Sequence, residues 1–219
     1  TNAIVNGVFQ GGYTGSITAN GSGFNVTINP NADFRFSETV GVWVQARDGQ
    51  NNQLTSSWSF IVKADDVQPL LSGRVPAAGS TGREKNTDIV FVATDADTGV
   101  DITSLNVTVN GAPAVVNGSG TAAYAFSYSV TNNGFVCRVN PVADFAYDQT
   151  VAVTAVYKDS SANQNQFSGS WSFSVKSDDV APLAAAITPA PGAVGVNTNA
   201  NVSLQIGDDS GVDNATVVV

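Results

Sequence analysis

The segment NPNADFRFSETVGV at residues 29–42 recurs 111 residues later as NPVADFAYDQTVAV at residues 140–153. A second segment, WSFIVKADDVQPL at residues 58–70, recurs as WSFSVKSDDVAPL at residues 171–183. Two shorter pairs keep the same order: VPAAGSTG at 75–82 with TPAPGAVG at 188–195, and DADTGVD at 95–101 with GDDSGVD at 207–213. A period of about 110 residues is the size of a whole β-sandwich domain rather than of one solenoid turn. The repetition therefore predicts copies of one such domain.

The complete copy, residues 64–176, consists of short apolar segments separated by turn residues. Alternation of apolar and polar residues predicts seven strands, at 70–75, 88–94, 105–109, 124–130, 135–139, 150–157 and 171–175. Asn-Gly, Gly-Ser-Gly and Asn-Asn-Gly sequences between them favour tight turns with positive φ. No helical period of useful length is present. We expect an all-β fold of tandem immunoglobulin-like β-sandwich repeats of about 110 residues, with no significant helix.

The composition excludes several classes of chemistry. Of the 219 residues, 42% are hydrophobic, which is enough for a packed core, but none is histidine. Ser-His-Asp catalysis and His-ligated zinc sites are therefore excluded. The two glutamates, Glu38 and Glu84, lie far apart in the sequence, which argues against a glycosidase with paired glutamates. We expect a scaffold or a binding module rather than an enzyme, and no catalytic residues.

The charge and the apolar pattern restrict the partners. The net charge is −9, which repels phosphate backbones, so we expect no nucleic-acid partner. No stretch approaches the ~20 apolar residues of a membrane helix, and no signal-peptide pattern is present. The single cysteine allows no intrachain disulfide. Because the chain begins with Thr1 and not with methionine, we expect a processed product or a part of a longer protein.

The sequence resembles one class of repeat protein. ARDGQNNQLTSSWSFIVKADDVQP at 46–69 and VYKDSSANQNQFSGSWSFSVKSDDVAP at 156–182 are similar to the ends of tandem bacterial Ig-like repeats. These are the cadherin-like modules of large surface adhesins and extracellular fibres. PAPGAVGVNTNANVSLQIGDDSGVD at 189–213 resembles the opening of such a module. The resemblance implies an extracellular or cell-surface setting, including the surface of a phage virion. It departs from antibody domains, because paired cysteines are missing and Trp58 and Trp171 fall in the last strand.

The two ends of the chain are complementary. Aligned on the complete copy, residues 1–63 contain only its later strands, and residues 177–219 contain only its first strands. Neither piece has enough surface to bury by itself. We expect residues 177–219 to be completed by residues 1–63 of the next chain or of the next repeat, which makes copies of the protein its partners in a head-to-tail homopolymer or contiguous array. The alternative is a truncation that leaves two half-domains. The strands expected to meet contain Ala3, Ile4, Val5, Val217, Val218 and Val219.

Aspartates gather where one end of the predicted sandwich should lie. The start of the first strand, the loop after the second and the loop before the last carry Asp65, Asp66, Asp95, Asp97, Asp101 and Asp159. The split copy repeats this set as Asp178, Asp179, Asp208, Asp209, Asp213 and, from the opposite piece, Asp48. The far end of a preceding domain adds Asp33 at one junction and Asp144 at the other. Ca²⁺, which takes six to eight oxygen ligands, would stabilise such clusters and stiffen the junctions. The alternative is that these aspartates only form Asx-turns.

The leading functional hypothesis is a structural repeat unit of an extracellular filament, fibre or adhesin stalk. The runner-up is a carbohydrate- or receptor-binding accessory module, which would need an exposed aromatic platform such as Trp43 with Tyr13 or Phe36. No motif in the sequence identifies a host or surface receptor. Six sequons would suit a glycosylated surface protein, at Asn20, Asn25, Asn106, Asn117, Asn201 and Asn214.

Overall fold

The computed structural model describes residues 4–5, 8–9 and 11–218, with side chains for residues 11–218. The described residues form seventeen strands and one 3-10 helix at Asn214–Thr216, and neighbouring strands are antiparallel throughout. The strands are β1 Ile4–Val5, β2 Val8–Phe9, β3 Tyr13–Asn20, β4 Gly23–Pro30, β5 Thr39–Arg47, β6 Gln53–Ile61, β7 Leu70–Val75, β8 Ile89–Thr94, β9 Val100–Val109, β10 Ala112–Val116, β11 Ser119–Gly120, β12 Tyr124–Thr131, β13 Gly134–Pro141, β14 Thr150–Asp159, β15 Gln166–Ser174, β16 Leu183–Thr188 and β17 Ser203–Gly207. The predicted all-β fold is confirmed.

The middle of the chain forms a β-sandwich. One sheet has the strand order β11-β10-β9-β14-β15 and the other the order β12-β13-β8-β7. This is the arrangement of immunoglobulin-type domains, in which the first, second, fourth and fifth strands face the others. Alternate residues of β8 and β14 are buried, because successive side chains of a strand point to opposite faces.

The core of the sandwich contains Phe91, Val139, Val153 and Phe173, and Trp171 packs edge-on against Phe91 with ring centroids 5.9 Å apart. The buried Tyr157 donates its hydroxyl proton to the carbonyl oxygen of Leu70 at 2.7 Å. This hydrogen bond ties β14 of one sheet to β7 of the other.

Two strands of the sandwich were not predicted, and two others, β9 and β15, begin five residues before their predicted starts. The strands β10 and β11 form one sheet edge, where Pro113 and the glycines of the turn weaken the apolar alternation. The strand β15 begins at Gln166. Its first half was missed because it is rich in serine and glycine, which weaken the apolar alternation. Pairing with β14 holds this polar half in the sheet.

The flanking segments form separate hairpins in the registers of the sandwich. Val42 pairs with Trp58 as Val153 pairs with Trp171. Tyr13 pairs with Pro30 as Tyr124 pairs with Pro141, and Leu183 pairs with Gly207 as Leu70 pairs with Thr94. We call 11–63 the N-terminal flank, 64–176 the intact domain and 177–218 the C-terminal flank. The repeated sequence thus gives the same local pairing in the flanks and in the intact domain.

Within the part of the chain that the structure describes, only the intact domain has a core. Every buried residue among those described lies between Asp65 and Val175, and both flanks consist of two-stranded sheets with no second sheet against them. A two-stranded hairpin is marginally stable by itself in water. Among the described residues, no helix is long and apolar enough to cross a membrane.

Candidate functional site

Both flanks expose apolar side chains whose equivalents in the intact domain are buried. Trp58 is 54% exposed, against 6% for Trp171. Phe60 is 43% exposed, against 1% for Phe173. The other exposed residues at core positions are Val26 and Ile28 in the N-terminal flank and Val202, Leu204, Ile206 and Val217 in the C-terminal flank. Scattered exposed apolar residues are ordinary, but a face of them at core positions is a candidate interaction surface.

The flanks also have free strand edges. In the intact domain, β13 pairs with both β12 and β8. Its equivalent β4 pairs only with β3 among the described strands, and β17, the equivalent of β8, pairs only with β16. A free edge presents unpaired backbone N–H and C=O groups, which are a template for another strand. The N-terminal flank therefore lacks the strand that the C-terminal flank contains.

The last described residues differ from the sequence prediction. Val217 and Val218 were expected in a strand, but the chain forms a 3-10 turn at Asn214–Thr216, and Val217 follows with extended backbone (φ −73°, ψ 118°). A strand requires a neighbour, and no described strand lies beside this segment. Of the other predicted assembly residues, Ile4 and Val5 form β1, paired with β2, whereas Ala3 and Val219 lie outside the described residues.

Three aspartates meet at the end of the intact domain where the chain enters it. Asp65 precedes β7, Asp95 follows β8 and Asp159 ends β14. Each offers a carboxylate oxygen within 4.8 Å of the others, and all three are at most 2% exposed. We call this group the Asp65 cluster. Burial of three carboxylates is costly unless each is hydrogen-bonded or a cation lies between them.

Asp95 is the least satisfied member of the Asp65 cluster. Its Oδ1 accepts hydrogen bonds from the backbone N–H groups of Asp97, Thr98 and Gly99, at 3.1, 2.9 and 3.2 Å. Its Oδ2 is buried and has no hydrogen-bond donor. A bound cation would coordinate such an unpartnered carboxylate oxygen.

The other two members are held by hydroxyl and amide groups. Asp65 accepts at 2.7 Å from the hydroxyl of Thr98, and Asp159 accepts at 2.7 Å from the hydroxyl of Ser161 and from the side-chain amide of Asn165. Asn165 also donates to the backbone carbonyl of Asp65. The sequence analysis missed these donors. Ser161 and Asn165 follow Asp159 by two and six residues, but Thr98 is 33 residues from Asp65, so only the fold brings it there. Carboxylate, hydroxyl and carbonyl oxygens together fit a hard cation such as Ca²⁺.

A second group of carboxylates lies in the C-terminal flank. Oxygens of Asp178, Asp208 and Asp209 lie within 4.8 Å of one another, and Oδ2 of Asp208 is buried without a partner. A hydrogen bond from Ser210 lowers the pKa of Asp178. In the strand register, Gly207 is the equivalent of Thr94, so Asp208 stands where Asp95 stands in the intact domain, one residue away from the sequence alignment of 207–213 with 95–101. Asp178 stands where Asp65 stands. The equivalent of Asp159 is Asp48, which lies in the N-terminal flank.

Asp48 is arranged like Asp159 although it is exposed. Its Oδ1 accepts from the backbone N–H of Asn52 at 2.8 Å, and its Oδ2 accepts from the side-chain amide of Asn52 at 2.8 Å. These hydrogen bonds lower the pKa of Asp48, the side-chain bond contributing most. The loop therefore holds an ionised carboxylate in place with no second aspartate beside it in the described structure.

The remaining predicted aspartates are not in these groups. Asp66, Asp97 and Asp179 are exposed, and so are Asp33 and Asp144. Asp101 accepts from the backbone N–H and the hydroxyl of Thr103, and Asp213 accepts from the backbone N–H of Ala215 at the 3-10 helix. Three of the six expected carboxylates therefore converge in the intact domain, and Asp101 and Asp213 form local turns instead.

A contact joins the intact domain to the C-terminal flank, at the junction to which the sequence analysis assigned Asp144. The hydroxyl of Tyr147 donates to Asp209 at 2.7 Å, and Nζ of Lys85 lies 3.4 Å from the same carboxylate oxygen. The Lys85 ammonium also lies 4.1 Å from the centroid of the Tyr147 ring. The hydrogen bond to Asp209 raises the pKa of Tyr147 to about 12.

The predicted aromatic platform is not assembled. Tyr13 lines a shallow depression with Asp33 and Arg35, but neither Trp43 nor Phe36 lines it. Trp43 is exposed on β5, and Phe36 lies under the ammonium of Lys63 at 5.5 Å.

The sequons differ in accessibility. Asn20, Asn25, Asn117, Asn201 and Asn214 are exposed, and the side-chain amide of Asn20 donates to Asn25. Asn106 is half-buried and donates its amide to the carbonyl of Ser104, so this side chain is already engaged.

No model of a known protein family matches the chain, and no curated protein sequence matches it.

Proposed function

We propose that this protein is a structural repeat unit of an extracellular filament, fibre or adhesin stalk, without a catalytic role. Copies join head to tail, and the C-terminal flank of one copy completes the N-terminal flank of the next into a second sandwich. The partner is another copy of the protein, either a separate chain or the next repeat of a longer one. The setting is the cell surface, or the surface of a virion, as the resemblance to bacterial Ig-like repeats implies.

The observation that carries this proposal is the exposure of core positions in both flanks. The intact domain buries Phe173 and Trp171, and the same residue types at the same register stand exposed at Phe60 and Trp58. Full burial of one large apolar side chain stabilises a fold by about 1.5–3 kcal/mol. Completion of the split sandwich would bury a set of them in one step.

A divalent cation at the Asp65 cluster belongs to the same proposal. The cluster lies where the chain enters the intact domain, so a cation there would fix the linker against the domain. The buried, unpartnered Oδ2 of Asp95 supports this assignment, and Ca²⁺ is the cation that suits several carboxylate and carbonyl oxygens in flexible geometry. Asp65, Asp95 and Asp159 would hold the ion, with Thr98 and Ser161 beside it.

One observation favours the second candidate, a ligand-binding accessory module. Trp43 is 41% exposed, and its equivalent in the intact domain is Thr154, which lies between the core positions Val153 and Ala155 and so faces away from the core. Trp43 would therefore stay accessible after completion. A single tryptophan on a sheet face is a weaker binding surface than a groove, because nothing surrounds the ligand.

The test compares Val26→Lys with Thr27→Lys in the full chain. Val26 holds a core position and its neighbour Thr27 an outward one, so both variants add the same charge to the same strand. We expect wild type and Thr27→Lys to form regular filaments in electron micrographs and high-mass species in light scattering, and Val26→Lys to remain monomeric. A wild-type chain that stays monomeric at high concentration, or a Val26→Lys variant that assembles normally, would overturn the proposal.

A further inference from the structure

We propose that strand β17 of one copy adds to the free edge of strand β4 of the next copy, antiparallel, in the register that places Val26 opposite Leu204. This inference rests on the proposed function and deepens it, because it names the strand, the direction and the register of the junction. It assigns an interaction surface to β4 and identifies a second copy of the chain as its occupant.

The register follows from the intact domain. There, β13 and β8 pair through Gly134 with Thr94, Cys137 with Phe91 and Val139 with Ile89. The hairpin β3–β4 has the same register as β12–β13, and the hairpin β16–β17 has the same register as β7–β8, including its irregularity. When β3–β4 is placed on β12–β13 and β16–β17 on β7–β8, the pairing of β4 with β17 follows directly from the pairing of β13 with β8. It places Gly23 opposite Gly207, Phe24 opposite Ile206, Val26 opposite Leu204 and Ile28 opposite Val202.

The side chains on the core face agree with this register. Val139 opposite Ile89 becomes Ile28 opposite Val202, so the two residue types exchange strands and the summed volume is kept. Cys137 opposite Phe91, a small residue against a large one, becomes Val26 opposite Leu204, two of intermediate size. Cores tolerate substitutions that conserve volume far better than those that do not. A shift by one residue would instead turn the apolar side chains of β17 toward solvent.

The outward face agrees as well. The same register places Asn25 opposite Gln205 and Thr27 opposite Ser203, which are polar residues on both strands. Polar residues suit the solvent face of an antiparallel sheet.

Gly23 supplies independent support. In the intact domain, a Cβ at the equivalent Gly134 would overlap the carbonyl oxygen of Ala93 in β8, so the approach of β8 requires glycine there. A Cβ at Gly23 would meet nothing closer than the carbonyl oxygen of Asn20 at 3.8 Å, and the backbone of Gly23 has no positive φ. The described structure therefore gives no steric reason for glycine at this position. A strand in the place of β8 would give one.

The positions of the flanks favour a second copy over self-closure. The chain enters the intact domain at the Asp65 cluster, which Asp159 reaches from the end of β14. The C-terminal flank contacts Tyr147, just before the start of β14. The two flanks are thus attached near opposite ends of a ten-residue strand, which spans roughly 33 Å. A neighbouring copy presents its flank without crossing that distance.

The experiment uses two single variants of the full chain, Thr27→Cys and Ser203→Cys. Mixed and oxidised, they form a 27–203 disulfide only between different molecules. We expect one covalent heterodimer in good yield, and at least tenfold less when Gln205→Cys replaces Ser203→Cys. Cys137 is buried in the intact domain and stays out of the reaction. The double variant Thr27→Cys with Ser203→Cys should give a ladder of covalent multimers.

The outcomes separate this inference from the proposed function. A fast-migrating monomer with an internal disulfide in the double variant would overturn pairing between copies in favour of self-closure. Filaments that form without the 27–203 disulfide would overturn the register and leave the proposed function standing. A chain that neither assembles nor cross-links would overturn both.

Discussion

The intact domain and the N-terminal flank contain the same hairpins but differ in what covers them. Val153 pairs with Trp171, and Val42 pairs with Trp58, in one register. The tryptophan is buried in the first case and exposed in the second. Pairing within a hairpin is therefore set by nearby sequence, whereas burial needs strands that come from elsewhere in the chain or from another copy.

The aspartate groups show the same difference. In the intact domain, Asp65, Asp95 and Asp159 come from three separated parts of one unit and are buried together. In the proposed second sandwich, Asp178 and Asp208 come from one flank and Asp48 from the other. Both its core and its acidic group would be divided at the same place in the repeat. Completion of the core would therefore also complete the acidic group.

The largest difference between the intact domain and the N-terminal flank is expected at the equivalent phenylalanines, Phe173 and Phe60. We expect Phe173→Ala to lower the free energy of unfolding of the intact domain by about 3–5 kcal/mol, because a fully buried ring is removed from a packed core. In dilute, unassembled protein, Phe60→Ala should cost no more than about 0.5 kcal/mol. Urea unfolding followed by tryptophan fluorescence measures both.

Protein concentration sharpens this test. In assembled protein, the loss for Phe60→Ala should approach that for Phe173→Ala, since the ring then lies in a second core. Equal losses in the dilute chain would mean that the N-terminal flank is already packed there. A loss for Phe60→Ala that stays small at every concentration would argue against completion.

The second largest effect concerns the cation at the Asp65 cluster. With Ca²⁺ at a hundredfold excess over its dissociation constant, we expect the intact domain to gain about 2.7 kcal/mol, measured as a calcium-dependent rise in melting temperature. Asp95→Asn should abolish this rise, because it removes a charge and a ligand oxygen. The matched variant Asp97→Asn should keep it, since Asp97 is exposed and outside the cluster.

Chelator separates a cation site from a purely hydrogen-bonded cluster. Without calcium, Asp95→Asn should be at least as stable as wild type, because one of three buried charges is gone. If calcium does not change the melting temperature of wild type, or if Asp95→Asn still responds to calcium, the cluster only holds its loops together by hydrogen bonds.

Much of the fold could be predicted from the sequence because the strands carry strong local signals. The alternation in β8 and β14 and the glycine-containing turns locate these strands. The edge strands β10 and β11 were missed because Pro113 and serine-glycine pairs weaken that alternation. The pairing of β10 with β9 and of β11 with β10 decides their structure. The expected strand at Val217 depends on a neighbour that the described residues do not supply.

The acidic site was predictable in outline and not in detail. The order of strands brings Asp65, Asp95 and Asp159 to one end, together with the three other aspartates predicted there. Whether Asp97 and Asp101 join them depends on loop conformation. The carboxylate of Asp101 instead accepts a hydrogen bond from the backbone N–H of Thr103. The contact of Tyr147 with Asp209 was missed, because it depends on how two units meet rather than on either sequence.

A third prediction uses Cys137, whose equivalent in the N-terminal flank is Val26. Burial raises the pKa of the Cys137 thiol to about 12, from an ordinary value near 9. Because the folded-state pKa is raised, the contribution to stability is complete below pH 9 and is lost as pH rises from 9 toward 12, where only the unfolded chain ionises. Cys137→Val should remove this part of the alkaline loss of stability in urea unfolding.

Two controls make the thiol prediction specific. Burial also raises the pKa of Tyr157, so both proteins should lose some stability above pH 10, and the difference between them isolates the thiol. Native Cys137 should also resist thiol reagents at pH 8 and react after unfolding. Rapid labelling of the native chain would contradict the burial on which the prediction depends.

The smallest effect is expected at the contact between the intact domain and the C-terminal flank. The phenol of Tyr147 donates to Asp209, and this hydrogen bond raises the pKa of Tyr147 from about 10 to about 12. The contact is therefore complete below pH 10 and is lost as pH rises through 12, where a tyrosinate would face a carboxylate. Asp209→Asn should bring the titration back toward pH 10, as followed by the ultraviolet absorbance of tyrosinate.

The matched variant Tyr147→Phe should delete the phenol that titrates near pH 12 and leave the unfolding of the intact domain unchanged, because the hydroxyl lies at its surface. An unaltered titration in Asp209→Asn would show that the two side chains do not meet in solution. Loss of the contact should then widen the range of angles between the intact domain and the C-terminal flank, as measured by small-angle scattering. Since the intact domain keeps its core in either case, any such change reports on the junction alone.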